Sequence, residues 1–455
     1  MNTKTKKTFP GGVHPPQCKD LTCDCPIKPG PTAKQLTIML SQHIGAPCQP
    51  LVKKGDSVQA GQKIGDSDAF VCAPVHSPVN GRVKDITLAS HVVMGRSPAI
   101  VIDVDPENNP QKNLESIKLD SFDENKYSSE QICEAARNAG LVGMGGAGFP
   151  TQVKLQPNPN MPKKTMIING CECEPYITCD YRMMLERTEQ VIAGIKLAKK
   201  ASGCSEVFIG IEDNKPLAIK AMNNTLNAKP NNDIKVIPLK TKYPQGGERQ
   251  LIRSVLGKDV PTGSIPPMIG VLVLNVATSA AIANAVINNS PLTHRVVTVT
   301  GQAIANPGNF YVPIGTPAGE LIEFCGSVTE KSAKVVFGGP MMGIAIADLA
   351  TPITKASGAI TVLTKDQIGK AKFAKQQTPC IRCGRCLDIC PEHLNPTRIA
   401  HAVKHELYDV AQSYFMSACI ECGGCSYVCP ANIELTGYIK TGKIFVARKN
   451  KKMPK

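Results

Sequence analysis

Cys380-Ile-Arg-Cys383-Gly-Arg-Cys386-Leu-Asp-Ile-Cys390-Pro391 and Cys419-Ile-Glu-Cys422-Gly-Gly-Cys425-Ser-Tyr-Val-Cys429-Pro430 are two copies of one pattern, C-x2-C-x2-C-x3-C-P. Three thiolates at this short spacing can wrap one face of an iron–sulfur cubane. The longer gap carries the fourth onto the following helix, where it points toward a second cubane. The spacing therefore predicts that Cys380, Cys383, Cys386 and Cys429 hold one [4Fe–4S] cluster, and that Cys419, Cys422, Cys425 and Cys390 hold the other. A pair of zinc sites would use two C-x2-C pairs and has no role for the fourth cysteine and its proline. Two neighbouring clusters form a path for single electrons, so electron transfer is the first functional expectation.

The rest of the chain must supply whatever feeds that path. Its 455 residues suggest about three domains or more, and 42% apolar residues exclude a disordered chain. Collagen-like repeats and sustained heptads do not occur. The 19 cysteines follow an N-terminus, MNTKTKKTFPGG, without an apolar core after its lysines, which suggests a reducing compartment and metal ligation rather than disulfides. Cys18, Cys23 and Cys25, and likewise Cys171, Cys173 and Cys179, are candidate further metal groups, with free thiols as the simpler reading. The uncharged stretch Ser264–Thr293, with 19 residues from Ile269 to Ile287, is long enough to span a bilayer. Its Asn275, Thr278, Ser279 and Asn284 and the preceding Pro266-Pro267 instead suggest a buried strand over Gly270–Val276 and a helix from Thr278 to Ile287.

Residues 1–35 show no periodicity and are read as an extension. Residues 36–105 carry short strands between Gly-Asp and Asn-Gly turns, an all-β unit. A polar linker is expected over 106–125. From 126 to 290 strands alternate with helices: Ser128-Ser129-Glu130-Gln131 reads as a capping box for a helix that stops at Gly140, and helices are expected over Met183–Ala201 and Leu217–Leu226. Strands are expected at Lys164–Asn169, Glu206–Ile211, Ile234–Pro238 and Gly270–Val276. Residues 294–360 turn β-rich again, residues 370–445 hold the cysteine runs among helices, and 446–455 form a basic tail. From residue 370 to the end there are 14 Lys and Arg against 6 Asp and Glu, much of the net charge of +15. That charge suits an acidic ferredoxin-like partner or an anionic lipid surface, although the tail alone reads equally well as a solvated end. With 4% aromatics, not interleaved with basic residues, nucleic-acid binding is not expected.

Gly143-Met144-Gly145-Gly146-Ala147-Gly148 matches G-x-G-x-x-G, but a helix rather than a strand precedes it, so the dinucleotide fingerprint fails its context. A glycine loop can still bring backbone N–H groups to a phosphate, with Lys154 as a nearby cation.

Here a resemblance becomes specific. GMGGAGFPTQVKL resembles the G-R-G-G-A-G-F-P-T-G-x-K segment of the flavin- and NADH-binding subunits of respiratory complex I. Asn169-Gly170-Cys171-Glu172-Cys173-Glu174-Pro175 resembles their N-x-D-E-S-E-P motif, Tyr243-Pro244-Gln245-Gly246-Gly247-Glu248 their Y-x-x-G-E-E motif, and Leu274-Asn275-Val276-Ala277-Thr278 their N-V-E-T motif. LVKKGDSVQAGQKIG and VHSPVNGRVKDI resemble the hammerheads of a biotinyl/lipoyl-type barrel-sandwich whose tip, CAPVHSPVNG, lacks the lysine that would carry a cofactor. The stretch after 294 resembles an SLBB domain. This order of parts, with GGVHPP, CECEPYIT and GGPMMG, resembles the C subunits of Rnf electron-transport complexes over residues 9–445.

The resemblance implies a multidomain α/β plus β chain: a barrel-sandwich hybrid, a Rossmann-like FMN/NADH domain, an SLBB β-grasp domain and a bacterial-type two-cluster ferredoxin domain. It implies noncovalent FMN and NAD(H) beside the two clusters; Ser357-Gly358-Ala359-Ile360 lacks the threonine of a covalent-flavin signature. By the same resemblance Gly143, Gly145, Gly146, Gly148 and Lys154 would cradle the FMN phosphate, and Asn169, Asn275 and Thr278 would bond the flavin or its ribityl chain. Tyr243, Gly246 and Gly247 belong to the same cofactor loop. Glu172, Glu174 and Glu248 would line the nicotinamide side, helix capping being the competing role for these acids. Met144, Cys171 and Gly247 replace an arginine and two acids of the complex I pattern. A flavin accepts electrons in pairs from a nicotinamide and releases them singly, which is why it belongs between nicotinamide and clusters. The implied activity is that of a peripheral subunit on the cytoplasmic face of the cell membrane, working with other subunits that couple ferredoxin oxidation and NAD reduction to Na⁺ or H⁺ translocation. The alternatives are a soluble flavin reductase such as a cobalamin reductase, which would carry its barrel-sandwich after the cluster domain, and a plain electron carrier without flavin.

Overall fold

The computed structural model describes residues 7–109, 117–228, 233–369 and 377–452. Part of the expected linker over 106–125 and the end of the basic tail lie outside them.

The central unit is a four-stranded parallel sheet in the spatial order Ile234–Leu239, Glu206–Glu212, Thr165–Asn169, Val271–Asn275. The apolar runs Met166-Ile167-Ile168 and Val271-Leu272-Val273-Leu274 are buried throughout, because helices cover both faces. Helices Thr188–Ser202 and Val276–Ile287 pack on one face, and Glu248–Leu256 on the other. The first two approach so closely that a Cβ on Gly194 would lie 1.7 Å from the Ser279 carbonyl oxygen, so only glycine fits at that crossing. The capping box forms: Ser128 Oγ accepts from the Gln131 amide at 3.2 Å, and the Gln131 side chain accepts from the Ser128 amide at 2.8 Å. The apolar stretch 264–293 resolves into the strand Val271–Asn275 and the helix Val276–Ile287, and no helix among the described residues is long and apolar enough to cross a membrane.

Two expectations need correction. Met183–Ala201 is not one helix but the end of Cys179–Glu186 and most of Thr188–Ser202. Arg187 (φ −132°) leaves helical geometry between them, and the Thr188 hydroxyl takes up the Met184 carbonyl at 2.6 Å. The N-terminal extension is also structured. Ile27–Pro29 adds a parallel edge strand to the sheet of the 294–360 region, Val13 bridges Tyr243, and the Gly12 amide donates to the Ile389 carbonyl at 2.8 Å. The segment laces three units together through backbone hydrogen bonds, which need no apolar periodicity.

Residues 35–104 form two small antiparallel sheets around Leu36, Ile38, Ile64, Val75, Ile100 and Ile102. The β-rich region is a six-stranded sheet with helix Ala318–Phe324, in the order Ile27–Pro29, Gly308–Pro313, His294–Thr300, Ala359–Thr364, Ser332–Phe337, Ile344–Ile346. In the last unit, helices Pro396–Lys404 and Leu435–Lys452 pack around Ile399, Val403, Met416 and Ile439.

Candidate redox centres

Strands Thr165–Asn169 and Val271–Asn275 are neighbours in space but not consecutive in sequence, so the sheet reverses its winding between them. Their last residues, Asn169 and Asn275, are register partners. A crevice outside the carboxyl ends of parallel strands at such a switch point is where α/β sheets bind ligands. The candidate residues converge there. Asn275 caps the helix Val276–Ile287 by accepting from the Ala277 amide at 2.7 Å, and donates from Nδ2 to Asp180 Oδ2 at 2.6 Å. Thr278 Oγ1 accepts from the Met144 amide at 2.9 Å, which pins the glycine loop to that helix. A Cβ on Gly145 (φ +72°) would sit 2.8 Å from Asn275 Nδ2, whereas one on Gly146 meets nothing within 4 Å. The loop is thus held close on one side and open on the other, as backbone approach to a phosphate requires.

Asn169 donates from Nδ2 to the Gly246 carbonyl at 2.8 Å and accepts from the Cys171 amide at 3.1 Å. The first of these bonds fixes the Gly246-Gly247-Glu248 turn beside the strand ends. Lys154 reaches the Val273 carbonyl at 3.2 Å and Glu248 at 3.4 Å, so an anion entering here competes with a weak, partly exposed pair.

Glu172 and Glu174 sit in the wall. The Glu172 carboxylate accepts from the Asp180 and Tyr181 amides at 2.6 and 3.1 Å, capping Cys179–Glu186, and that of Glu174 accepts from Met341 and Met342 at 2.6 and 3.2 Å. Burial pushes the Glu172 carboxyl up to about 7, against the pull of the Lys19 ammonium. Sequence reasoning missed Asp180, Lys19 and Arg295, which complete this buried network. Burial raises the Asp180 carboxyl, while the bond from Asn275 and the charge of Arg295 oppose it. Lys19 donates to the carbonyls of Glu172, Glu174 and Ile177 at 2.9, 3.0 and 2.6 Å. No local spacing announces these residues, since their partners lie far away in sequence.

In the C-terminal unit Cys380, Cys383, Cys386 and Cys429 line one cavity of about 250 Å³. Cys390 falls within electrostatic reach of Cys419, Cys422 and Cys425, and also of Cys386 in its own run. The first four thiols face that cavity, and among the described residues the three-ligand groups close enough for a single ion include none of these eight, nor Cys18, Cys23 and Cys25. A cubane fits this donor set and a mononuclear zinc does not. Amides of Arg382, Leu394, Glu421 and Ile433 point at Cys380, Cys390, Cys419 and Cys429 sulfurs at 3.3–3.4 Å, donors that favour the anionic form of a thiolate-bound cluster. Cys380 and Cys383 are exposed and Cys422 and Cys425 buried, so one cavity opens at the surface while the other group faces inward. Tyr243, from the candidate flavin crevice, donates its hydroxyl to the Cys422 carbonyl at 2.8 Å.

Comparison with known families and proteins agrees with this arrangement. Residues 7–107 match the RnfC barrel sandwich hybrid domain, 136–284 the Nuo51 FMN-binding domain, 296–345 the SLBB domain and 372–430 the 4Fe-4S dicluster domain. The chain is 42% identical to the C subunit of the proton-translocating ferredoxin:NAD(+) oxidoreductase complex of Clostridium ljungdahlii, covering 90% of this chain and 87% of that one. It is 40% identical to the C subunit of the Na(+)-translocating complex of Acetobacterium woodii (91% of each chain), and 39% identical to the C subunit of the ion-translocating oxidoreductase complex of Rhodobacter capsulatus (85% and 73%). With identity of this degree over about nine-tenths of its length, the chain belongs to the family of C subunits of Rnf-type ion-translocating ferredoxin:NAD(+) oxidoreductase complexes.

Proposed function

We propose that the chain carries electrons between NAD(H), FMN and two [4Fe–4S] clusters as a peripheral subunit of a membrane complex whose other subunits move ions. The observation that carries this reading is the junction between the two centres: the switch-point crevice and the inner cysteine group share the Tyr243–Cys422 hydrogen bond. When bound, FMN supplies the conversion between paired and single electrons. The chain's residues supply the rest. The amides of Gly143, Gly145, Gly146 and Gly148 and the Lys154 ammonium hold the phosphate. Asn169, Asn275 and Thr278 present their side chains at the strand ends, and Asn275 is oriented by Asp180. Glu248 stays on the partly exposed side toward the nicotinamide, while Glu172 and Glu174 shape the wall.

The inner group, Cys390, Cys419, Cys422 and Cys425, stands next to the flavin crevice in this reading. The outer group, Cys380, Cys383, Cys386 and Cys429, opens to partners on a surface that also exposes Ile381 and Leu387. The excess of 14 Lys and Arg over 6 Asp and Glu in this region favours an acidic, ferredoxin-like electron partner and a place against the anionic cytoplasmic membrane face. The test is anaerobic: assay iron and flavin, then titrate with NADH while recording the flavin and cluster bands. Bleaching of both bands is expected. Iron without flavin and without NADH oxidation would reduce the chain to an electron carrier, and reduction of cobalamin by the isolated chain would favour a soluble reductase.

A further inference from the structure

Outside the redox centres one group of side chains has the donor set and spacing of a metal site. Cys48 and Cys72, from the barrel-sandwich, are 3% and 0% exposed, and their sulfurs stand 3.8 Å apart. A ring nitrogen of His43 lies within 4.8 Å of both sulfurs. A disulfide would hold the two sulfurs at about 2.05 Å. Two thiolates on one tetrahedral zinc, with Zn–S bonds of about 2.3 Å, stand roughly 3.8 Å apart. The observed 3.8 Å matches two donors on one ion as well as a thiol–thiol hydrogen bond, and Cys48 Sγ also lies 3.4 Å from the Ala73 carbonyl oxygen.

The surroundings fit ligation. His43 Nε2 faces the Ala46 carbonyl at 3.0 Å and the Ala73 amide at 3.3 Å. Both contacts fall on Nε2, the first suiting it as a donor and the second as an acceptor, and neither involves Nδ1. That atom is buried and has no hydrogen-bond partner. A ligating histidine ordinarily donates its other N–H to a backbone carbonyl in this way.

We propose that His43, Cys48 and Cys72 form a structural zinc site, with water completing the fourth position. Two thiolates and a neutral imidazole select a thiophilic, borderline-soft divalent cation over magnesium or calcium. The site's place in the fold gives it a consequence. The Ile44 amide donates to the Gly148 carbonyl at 3.2 Å, a Cβ on Gly148 would lie 3.6 Å from His43 Cα, and Gln152 Nε2 donates to the Cys72 carbonyl at 3.0 Å. The ion would therefore tie the barrel-sandwich to the back of the Gly143–Gly148 loop.

The test uses the full chain, anaerobic, with its clusters and flavin in place, titrated with cobalt(II) alone as a spectroscopic probe. One tightly bound cobalt is expected, with thiolate charge-transfer bands and tetrahedral ligand-field bands, displaced by zinc. Changing Cys48→Ser together with Cys72→Ser should abolish those bands while iron and flavin content hold. Should that variant misfold, His43→Gln keeps both thiols and must still shift the ligand-field bands, because a nitrogen donor is lost. Cobalt spectra identical in the wild type and these variants would overturn the site, as would a Cys48–Cys72 disulfide found by mass spectrometry with no cobalt taken up. Either failure leaves the flavin and cluster assignments untouched, since none of these three residues belongs to them.

Discussion

The Tyr243 hydroxyl donates a 2.8 Å hydrogen bond to the carbonyl oxygen of Cys422, joining the turn ahead of Gly246 and Gly247 to the loop that carries a proposed cluster thiol. Tyr243 is 1% exposed, and its ring packs with Val13 and Cys422. The Val13 amide and carbonyl both pair with Tyr243 across the bridge that the N-terminal segment makes. Changing Tyr243→Phe keeps the ring and leaves the carbonyl without its donor, at about 1–3 kcal/mol. The variant should retain iron and flavin, melt at lower temperature, and separate two phases after rapid mixing with NADH: flavin bleaching at the wild-type rate and cluster bleaching delayed. Stopped-flow absorbance reads both. Unchanged cluster kinetics would mean that this contact does not position the inner cluster.

The two central glycines of the loop should fail differently. At Gly145 an alanine meets Asn275 Nδ2 at 2.8 Å in a left-handed conformation, so Gly145→Ala costs the unliganded protein about 1–2 kcal/mol and lowers its melting temperature. At Gly146 a methyl group meets nothing within 4 Å and φ is not positive. Gly146→Ala should leave the flavin-free protein as stable as wild type and weaken FMN binding, because in the proposed site the phosphate approaches through that open space. Thermal melts of flavin-free protein, paired with fluorescence titration of FMN, distinguish the two; equal FMN affinity in Gly146→Ala and wild type would move the phosphate elsewhere.

What the chain disclosed by itself was whatever is encoded locally. The cysteine spacing, the Ser128–Gln131 capping box and the buried runs Met166–Ile168 and Val271–Leu274 depend on neighbours within a few residues, so they can be read in one dimension. The strand Ile27–Pro29 could not be, because its hydrogen bonds come from Gly308–Pro313 and its own three residues carry no alternation. Glu172 shows the same limit at the site. A motif resemblance directs it to the nicotinamide, while its carboxylate takes the competing capping role, on the Asp180 and Tyr181 amides of a helix whose start was not legible. Asp180, Lys19 and Arg295 came to light only through three-dimensional burial.

The crossing of ligands between the two cysteine runs has an additive signature. Cys386 and Cys429 line one cavity although they come from different runs, and in the proposed arrangement Cys390 joins Cys419, Cys422 and Cys425. Pairing Cys386→Ser with Cys429→Ser should therefore remove one cluster, with iron falling from about eight to about four atoms per chain. Pairing Cys386→Ser with Cys390→Ser, two changes within a single run, should remove both. Iron analysis with low-temperature electron paramagnetic resonance of the reduced protein makes the comparison, and the reverse ranking would assign each run to its own cluster.

His76 sets an acid limit on the barrel-sandwich. Burial, followed by the charges of Lys355 and Lys63, lowers its imidazolium from 6.5 to about 3, against small opposing contributions from the Asn138 backbone and Asp66. A base whose folded pKa is depressed stays neutral in the native state while the unfolded chain takes up the proton. Its contribution is whole above about pH 6.5 and is lost as pH falls toward the folded value, by up to about 1.4 kcal/mol per pH unit. His76→Gln cannot titrate, so its stability should decline less steeply than that of the wild type between about pH 6.5 and pH 5. Denaturant melts of the two proteins at matched pH values give the slopes. Parallel slopes would show that the ring is protonated in the folded protein, and that the polar surroundings of His76 outweigh its burial.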